Sequence, residues 1–182
     1  MNFFEMLIMS KRMSFEDGTV TLYGENVLII PAPNIVKYIC MAGANQGNGR
    51  DMYSRAKAAT LEYKQDLVKA YKSGGGMSWI INTINLYGLG KATYQGASNS
   101  LPAGVIILEN SPFAHNPDCK AGAPIDHVLR GIIAGMASAI FNKDFDTIEL
   151  KCAAAGGDSC KIIIDSKKNL MRNFPQFYED QI

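Results

Sequence analysis

The residues best equipped for chemistry gather near the C-terminus, where Cys152 and Cys160 flank Ala153-Ala154-Ala155-Gly156-Gly157-Asp158-Ser159. A central Gly-Gly turns such a segment into a hairpin and brings the two thiols side by side. Paired thiolates with one or two further oxygen, nitrogen or sulfur donors suit a tetrahedral Zn²⁺. The spacing is wider than the knuckles of most zinc motifs, so two buried structural cysteines flanking a turn satisfy it equally well. Cys119, on an upstream loop, can supply a third thiolate, and His115 is a further possible donor. Cys40 lies in Ile35-Val36-Lys37-Tyr38-Ile39-Cys40-Met41 and reads as a small core residue.

Catalytic constellations are harder to find. His115 and His127 are the two histidines, both near one helix start, so histidine acid–base chemistry has few candidates. There is no glycine fingerprint for a dinucleotide, no Ser/His/Asp set and no HExxH. The 182 residues are 47% hydrophobic and 19% charged, within the globular range and long enough for one domain spanning 1–182. Lys+Arg 18 against Asp+Glu 17 leaves +1, with no basic stripe to attract nucleic acid. The apolar stretch 1–9 is short, is broken by Glu5, and carries Lys11 and Arg12 after it, where a signal peptide needs its charge first. No stretch approaches the roughly 20 apolar residues of a membrane span. The cytoplasm is the expected compartment, where four cysteines argue against a disulfide framework.

The surrounding elements follow from pattern. Residues 18–30 read as a hairpin turning at Gly24-Glu25-Asn26, followed by a short helix near 34–41 and a glycine-rich loop over 43–49. A long amphipathic helix is predicted over 51–72, from Tyr53, Ala56, Thr60, Tyr63, Leu67 and Ala70, and Ser73-Gly74-Gly75-Gly76 ends it. The helix 77–87 is apolar on more than one face, as a buried or cavity-lining helix is. Strands follow at 91–95 and 104–109, then a helix from Pro124-Ile125-Asp126 whose Gly131, Ala134, Gly135, Ala137, Ser138 and Ala139 invite close packing. The last hairpin is 147–153 with 160–165, and the tail 166–182 has no assignable pattern. Hairpins with segregated helices make an α+β fold, an antiparallel sheet packed against helices.

Over 109–164 the chain resembles the 4-vinyl-reductase (hydrocarbon-binding) domain, of the superfamily that includes the TRAPP vesicle-tethering subunits and the heme-NO-binding sensors. The resemblance rests on Asn110-Ser111-Pro112-Phe113-Ala114, on the helix from Pro124 through Gly131, Gly135, Ala139 and Phe141, on Glu149-x-x-Cys152, and on Gly156-Gly157-Asp158-Ser159-Cys160-Lys161-Ile162-Ile163. It implies the TRAPP/heme-NO-binding-like ligand-binding fold. In the aromatic-sensing activators of this family a structural zinc is held by a cysteine at the helix start, a glutamate and two hairpin cysteines. By that resemblance Glu149, Cys152 and Cys160 are ligands here, whereas the helix-start position holds Asp126. An aspartate can ligate zinc, but it is an equally good helix N-cap, so Asp126, Cys119 and His115 stand as candidates for the fourth place. Residues three apart on a regular strand point to opposite faces, so Glu149 and Cys152 converge only where the strand bends or bulges.

The same fold implies a cavity between helices and sheet. Met77, Trp79, Tyr87, Tyr94, Phe113, Met136 and Thr147 are the candidate wall, each also suited to an ordinary core. Met136 and Thr147 fall where the aromatic-sensing relatives place pocket tyrosines, which speaks against phenol as the ligand. Three functions follow from the resemblance: a non-catalytic sensor or carrier of a small hydrophobic molecule, an accessory factor or reductase in tetrapyrrole metabolism, and a TRAPP-like assembly protein. No output module accompanies the domain, so a sensor needs a separate output protein. A homodimer is expected, through the small-residue helix and the apolar face of 51–72.

Overall fold

The computed structural model describes residues 12–16, 19–22, 25–27, 32–43, 48–71, 75–98, 101–115 and 125–182. The N-terminal apolar stretch, the tip of the first turn at Gly24, and Cys119 lie outside the described residues. Internal contacts divide the chain into two compact units, Met1–Ile35 and Val36–Ile182.

In the first unit, β1 (Met13–Glu16), β2 (Thr19–Leu22) and β3 (Glu25–Val27) form an antiparallel sheet in that order. The expected hairpin is present as β2–β3, with β1 paired to β2 through Met13↔Leu22 and a 2.8 Å Ser14–Thr21 hydroxyl contact. Helix α1 (Ala32–Gly43) follows.

The second unit is built on a four-stranded antiparallel sheet ordered β4-β5-β7-β6, from β4 (Lys91–Ser98), β5 (Leu101–Glu109), β6 (Phe145–Lys151) and β7 (Cys160–Ser166). One face carries Ile106, Leu108, Ile162 and Ile164, all buried in the main core with Met77, Ile80 and Ile84 of α4 (Met77–Leu86) and Leu129, Ile133 and Met136 of α5 (His127–Phe141). Strand alternation turns Ile148 and Ile163 to the other face. There they pack with Leu170 of α6 (Lys167–Asn173) and Tyr178 of α7 (Pro175–Gln181). The tail without an assignable pattern is thus a helical pair: Ser166 caps α6 by accepting from the Asn169 amide, and Pro175 opens α7.

The helix predicted over 51–72 is two helices, α2 (Asn48–Glu62) and α3 (Lys64–Tyr71). The chain redirects at exposed Tyr63, and Lys64 then reaches Asn142 just past the end of α5, at 2.8 Å. The small residues of α5 do bring a helix close, and that helix is α2 of the same chain. A Cβ on Gly131 would stand 2.4 Å from the Tyr53 carbonyl oxygen, and one on Gly135 2.6 Å from the Thr60 Cβ. This face of α5 is therefore closed within the chain, and any pairing of two chains must use other surface. No helix among the described residues is long and apolar enough to cross a membrane.

Candidate metal centre

The sheet brings Glu149, Cys152 and Cys160 together through one irregularity. Along β6 and β7 the register runs Thr147↔Ile164, Ile148↔Ile163, Glu149↔Ile162, then jumps to Lys151↔Lys161. Leu150 is the extra residue of a β-bulge. A regular ladder would carry Cys152 opposite Ser159; the bulge advances it by one, opposite Cys160. Cys160 and Ile162 share a face of β7 by alternation, so their partners Cys152 and Glu149 share it too. The bend that convergence required is present.

Asp126 completes the group from the start of α5. Donor atoms of Asp126, Glu149, Cys152 and Cys160 all lie within 4.8 Å of one another, and all four residues are buried. Asp126 occupies the N-cap position but makes no capping bond with its side chain. Its Oδ1 instead accepts from the Ser111 hydroxyl at 2.7 Å, while Oδ2 and both carboxylate oxygens of Glu149 have no hydrogen-bond partner among the described residues. Buried carboxylate oxygens are rarely left unpartnered. Two thiols and two carboxylates converging in a buried space, three of their oxygens unmatched, are a donor set that fits a divalent cation. His115 stays outside the group, exposed, with Nδ1 3.2 Å from the Ser111 carbonyl.

Electrostatics tell the same story. Burial, reinforced by the charges of Asp126 and Cys152, pushes the Glu149 carboxyl up to about 10. Burial also raises Asp126, against the hydrogen bond from Ser111. Between the thiols, hydrogen bonding from Cys160 draws Cys152 down to about 6 and holds Cys160 above the usual thiol range. Without a cation the cluster must keep protons, because so many negative charges cannot coexist in a dry site.

Three residues around the cluster carried no role in the sequence. Ser111 is buried, orients Asp126, and accepts from the amides of Phe113 and Ala114, which explains the Asn110-to-Ala114 motif. Asn110 enters that turn at φ 55. Arg130, fully buried, donates to the Thr147 carbonyl at 2.9 Å, pairs with His127 at 3.0 Å, and lies 5.1 Å from the Tyr53 ring centroid. Its charge faces Glu149, Asp126 and Cys152, the one buried cation beside the group among the described residues. Gln181 bonds the main chain of Glu149 from α7. A lone arginine within an otherwise small and apolar helix was the available signal for Arg130; Ser111 and Gln181 offered none.

Of the expected cavity wall, Met77, Phe113 and Met136 are buried together in the main core, with Trp79 and Tyr94 packed against it. The Tyr94 hydroxyl donates to the Ala103 carbonyl at 3.2 Å. Thr147 is buried but donates to the Arg130 carbonyl at 3.0 Å, facing α5, and Tyr87 is exposed just past α4.

Residues 105–166 match the family model of the 4-vinyl-reductase domain, overlapping the expected 109–164 and enclosing the whole cluster. The sensory domain of the transcription activator PoxR, a phenol-responsive domain solved with phenol, superposes with a TM-score of 0.68 at 16% identity, over 86% of each chain. A vinyl-4-reductase family protein from Methanocaldococcus jannaschii gives 0.53 at 19% identity, over 76% of this chain and 83% of that one. A trafficking protein particle complex subunit 3 from Naegleria fowleri, solved covalently bound to palmitic acid, gives 0.53 at 12% identity, over 75% and 95%. These likenesses establish the α+β fold. No protein of curated function matches the chain significantly in sequence.

Proposed function

We propose that this chain, whose residues 105–166 match the 4-vinyl-reductase domain, is a non-catalytic sensor or carrier of a small hydrophobic molecule, braced by a structural zinc. The observation that carries the first part is the likeness to the phenol-responsive PoxR sensory domain over 86% of both chains. The ligand would enter the apolar layer between α4, α5 and the sheet, where Met77, Phe113 and Met136 lie together with Trp79 and Tyr94 at their side. Methionines adapt their shape to an apolar guest. The zinc would be held by Asp126, Glu149, Cys152 and Cys160, and would neutralise their charge while tying the β6–β7 hairpin to the start of α5. With four protein donors its role is structural. A separate output protein and a homodimer belong to this reading; light scattering of the purified chain should return twice its mass.

A thermal-shift screen of aromatics, fatty acids, isoprenoids and porphyrins tests the ligand. Hits should raise the melting temperature and alter Trp79 fluorescence, and Met136→Trp should abolish the shift while preserving the fold. A screen without hits refutes the sensor. The likeness to a trafficking-complex subunit favours a second reading, an assembly protein, which then takes precedence. Consumption of NAD(P)H with a porphyrin bound would move the assignment to tetrapyrrole reduction.

A further inference from the structure

The metal reading leaves one feature of the tail unused. β6 is an edge strand of the sheet, so the main-chain groups it turns away from β7 have no neighbouring strand to meet. At Glu149 both are taken by one side chain. The Glu149 amide donates to Gln181 Oε1 at 2.8 Å, and Gln181 Nε2 donates to the Glu149 carbonyl at 2.8 Å. The carboxamide thus does what a further strand would do, at the single residue where the ladder goes out of register. One turn earlier on α7, Tyr178 donates to Asp146 Oδ2 at 2.8 Å, three residues earlier on β6. Asp146 is fixed from its other oxygen by Tyr53 at 2.7 Å and Lys57 at 2.6 Å. Both Tyr178 and Gln181 are buried.

Glu149 is therefore held from outside by its backbone while its carboxylate points into the cluster with both oxygens unpartnered. A bulge on an edge strand is a pliable place, and the direction of the carboxylate follows the local φ/ψ. We propose that Gln181 is a positioning residue for the metal centre, and that docking of α7 and occupancy of the centre by a divalent cation form one linked equilibrium. The inference rests on the metal reading above. It gives the C-terminal helix a use beyond covering the sheet: α7 tightens when the centre is filled and loosens when it is emptied. Linkage makes the effect reciprocal, so the factor by which Gln181 improves affinity is the factor by which the cation protects α7.

The experiment uses the full chain and Zn²⁺ alone. Affinity is measured by competition with a chromophoric chelator for wild type, Gln181→Leu and, as a control on the exposed side of α7, Glu179→Gln. Outer-shell partners of metal ligands are typically worth about 10–100-fold in affinity, so Gln181→Leu should bind at least about tenfold more weakly with an unchanged circular dichroism spectrum, and Glu179→Gln should match wild type. In wild type, hydrogen exchange over 175–182 should slow on adding Zn²⁺ and recover with chelator; in Asp126→Asn, Zn²⁺ at the same concentration should leave it unchanged. This second measurement stands even where Gln181→Leu does not fold. Binding by Gln181→Leu within twofold of wild type, or exchange over 175–182 that ignores Zn²⁺ in wild type that has bound it, overturns the proposal. A wild type that takes up no Zn²⁺ overturns the metal reading itself, a result distinct from either.

Discussion

Asp126 allows the metal assignment to be tested with one atom's worth of chemistry, because its two possible roles make opposite predictions for Asp126→Asn. As a helix cap, asparagine serves as well as aspartate, so stability should be the same in wild type and variant, with or without zinc. As a ligand, the carboxylate is needed only when the cation is present. In the zinc-free state burial favours its protonated form, which asparagine mimics in shape and neutrality. The neutral amide can also keep the 2.7 Å contact with the Ser111 hydroxyl, so the zinc-free stability should move by less than about 1 kcal/mol. With zinc buffered at 100 times the wild-type Kd, binding contributes about 2.7 kcal/mol to wild type. For a chain of this size that is a rise in Tm of roughly 5–11 °C. Asp126→Asn at the same zinc concentration should show almost none of it. Differential scanning calorimetry with buffered zinc and with chelator gives all four values. A variant that keeps the whole zinc-dependent rise, or that loses the same stability in chelator as in zinc, refutes Asp126 as a ligand.

Zinc uptake by the wild type in weakly buffered solution near pH 7.5 should release roughly two protons, those that Glu149 and Cys160 retain in the empty cluster, and affinity should rise with pH accordingly; release of none would show that the carboxyl and thiol are not ligands. Gly131→Ala and Gly135→Ala should each lower the urea midpoint, by about 1–3 kcal/mol of overpacking, against the higher helix propensity of alanine. Gly131→Ala should be the worse, because its methyl meets a backbone oxygen at 2.4 Å where that of Gly135→Ala meets a side chain at 2.6 Å. Tyr53→Phe should cost about 2–3 kcal/mol in chemical denaturation, since its hydroxyl donates to Asp146 at 2.7 Å and accepts from the Thr147 amide at 3.2 Å. Burial and Asp146 also raise the Tyr53 hydroxyl above its ordinary range. The native state then holds that proton where the unfolded chain has lost it, so stability should fall as pH rises past about 10 in wild type, and less steeply in Tyr53→Phe.

Much of this arrangement was legible as pattern. The hairpin around Gly156-Gly157, the strand ending at Glu109 and the glycine-bearing helix α5 all follow from periodicity and turn chemistry, because each depends on neighbours close in sequence. What escaped depends on neighbours distant in sequence. The break between α2 and α3 at Tyr63 carries no proline or glycine, and its visible partner is Asn142, beyond α5. The helices α6 and α7 lack a continuous apolar stripe; they form because Leu170 and Tyr178 find Ile148 on the outer face of the sheet. The small residues of α5 signalled a close helix without saying whose, and the structure answers α2. Within the metal centre the four donors could be named, while the bulge at Leu150 that makes them converge has no mark in Glu149-Leu150-Lys151-Cys152.

Charge explains why the centre is built as it is. Two thiolates and two carboxylates sum to four negative charges, which a divalent cation halves, and the buried guanidinium of Arg130 beside Glu149, Asp126 and Cys152 offsets one more. An aspartate at the helix start in place of a thiolate leaves that balance unchanged and hardens one donor, so the affinity for soft cations should drop while the site's overall charge stays the same. Arg130 is itself anchored to the Thr147 carbonyl and lies against the Tyr53 ring, in the helix interface that Gly131 and Gly135 bring close. The packing of α2 on α5 and the electrostatics of the centre are thus one construction: loosening the helices frees the cation that the donors face. Removing the guanidinium by Arg130→Met should therefore weaken zinc binding even in a chain that stays folded, because the carboxylates would gain nothing from deprotonating beside a neutral neighbour.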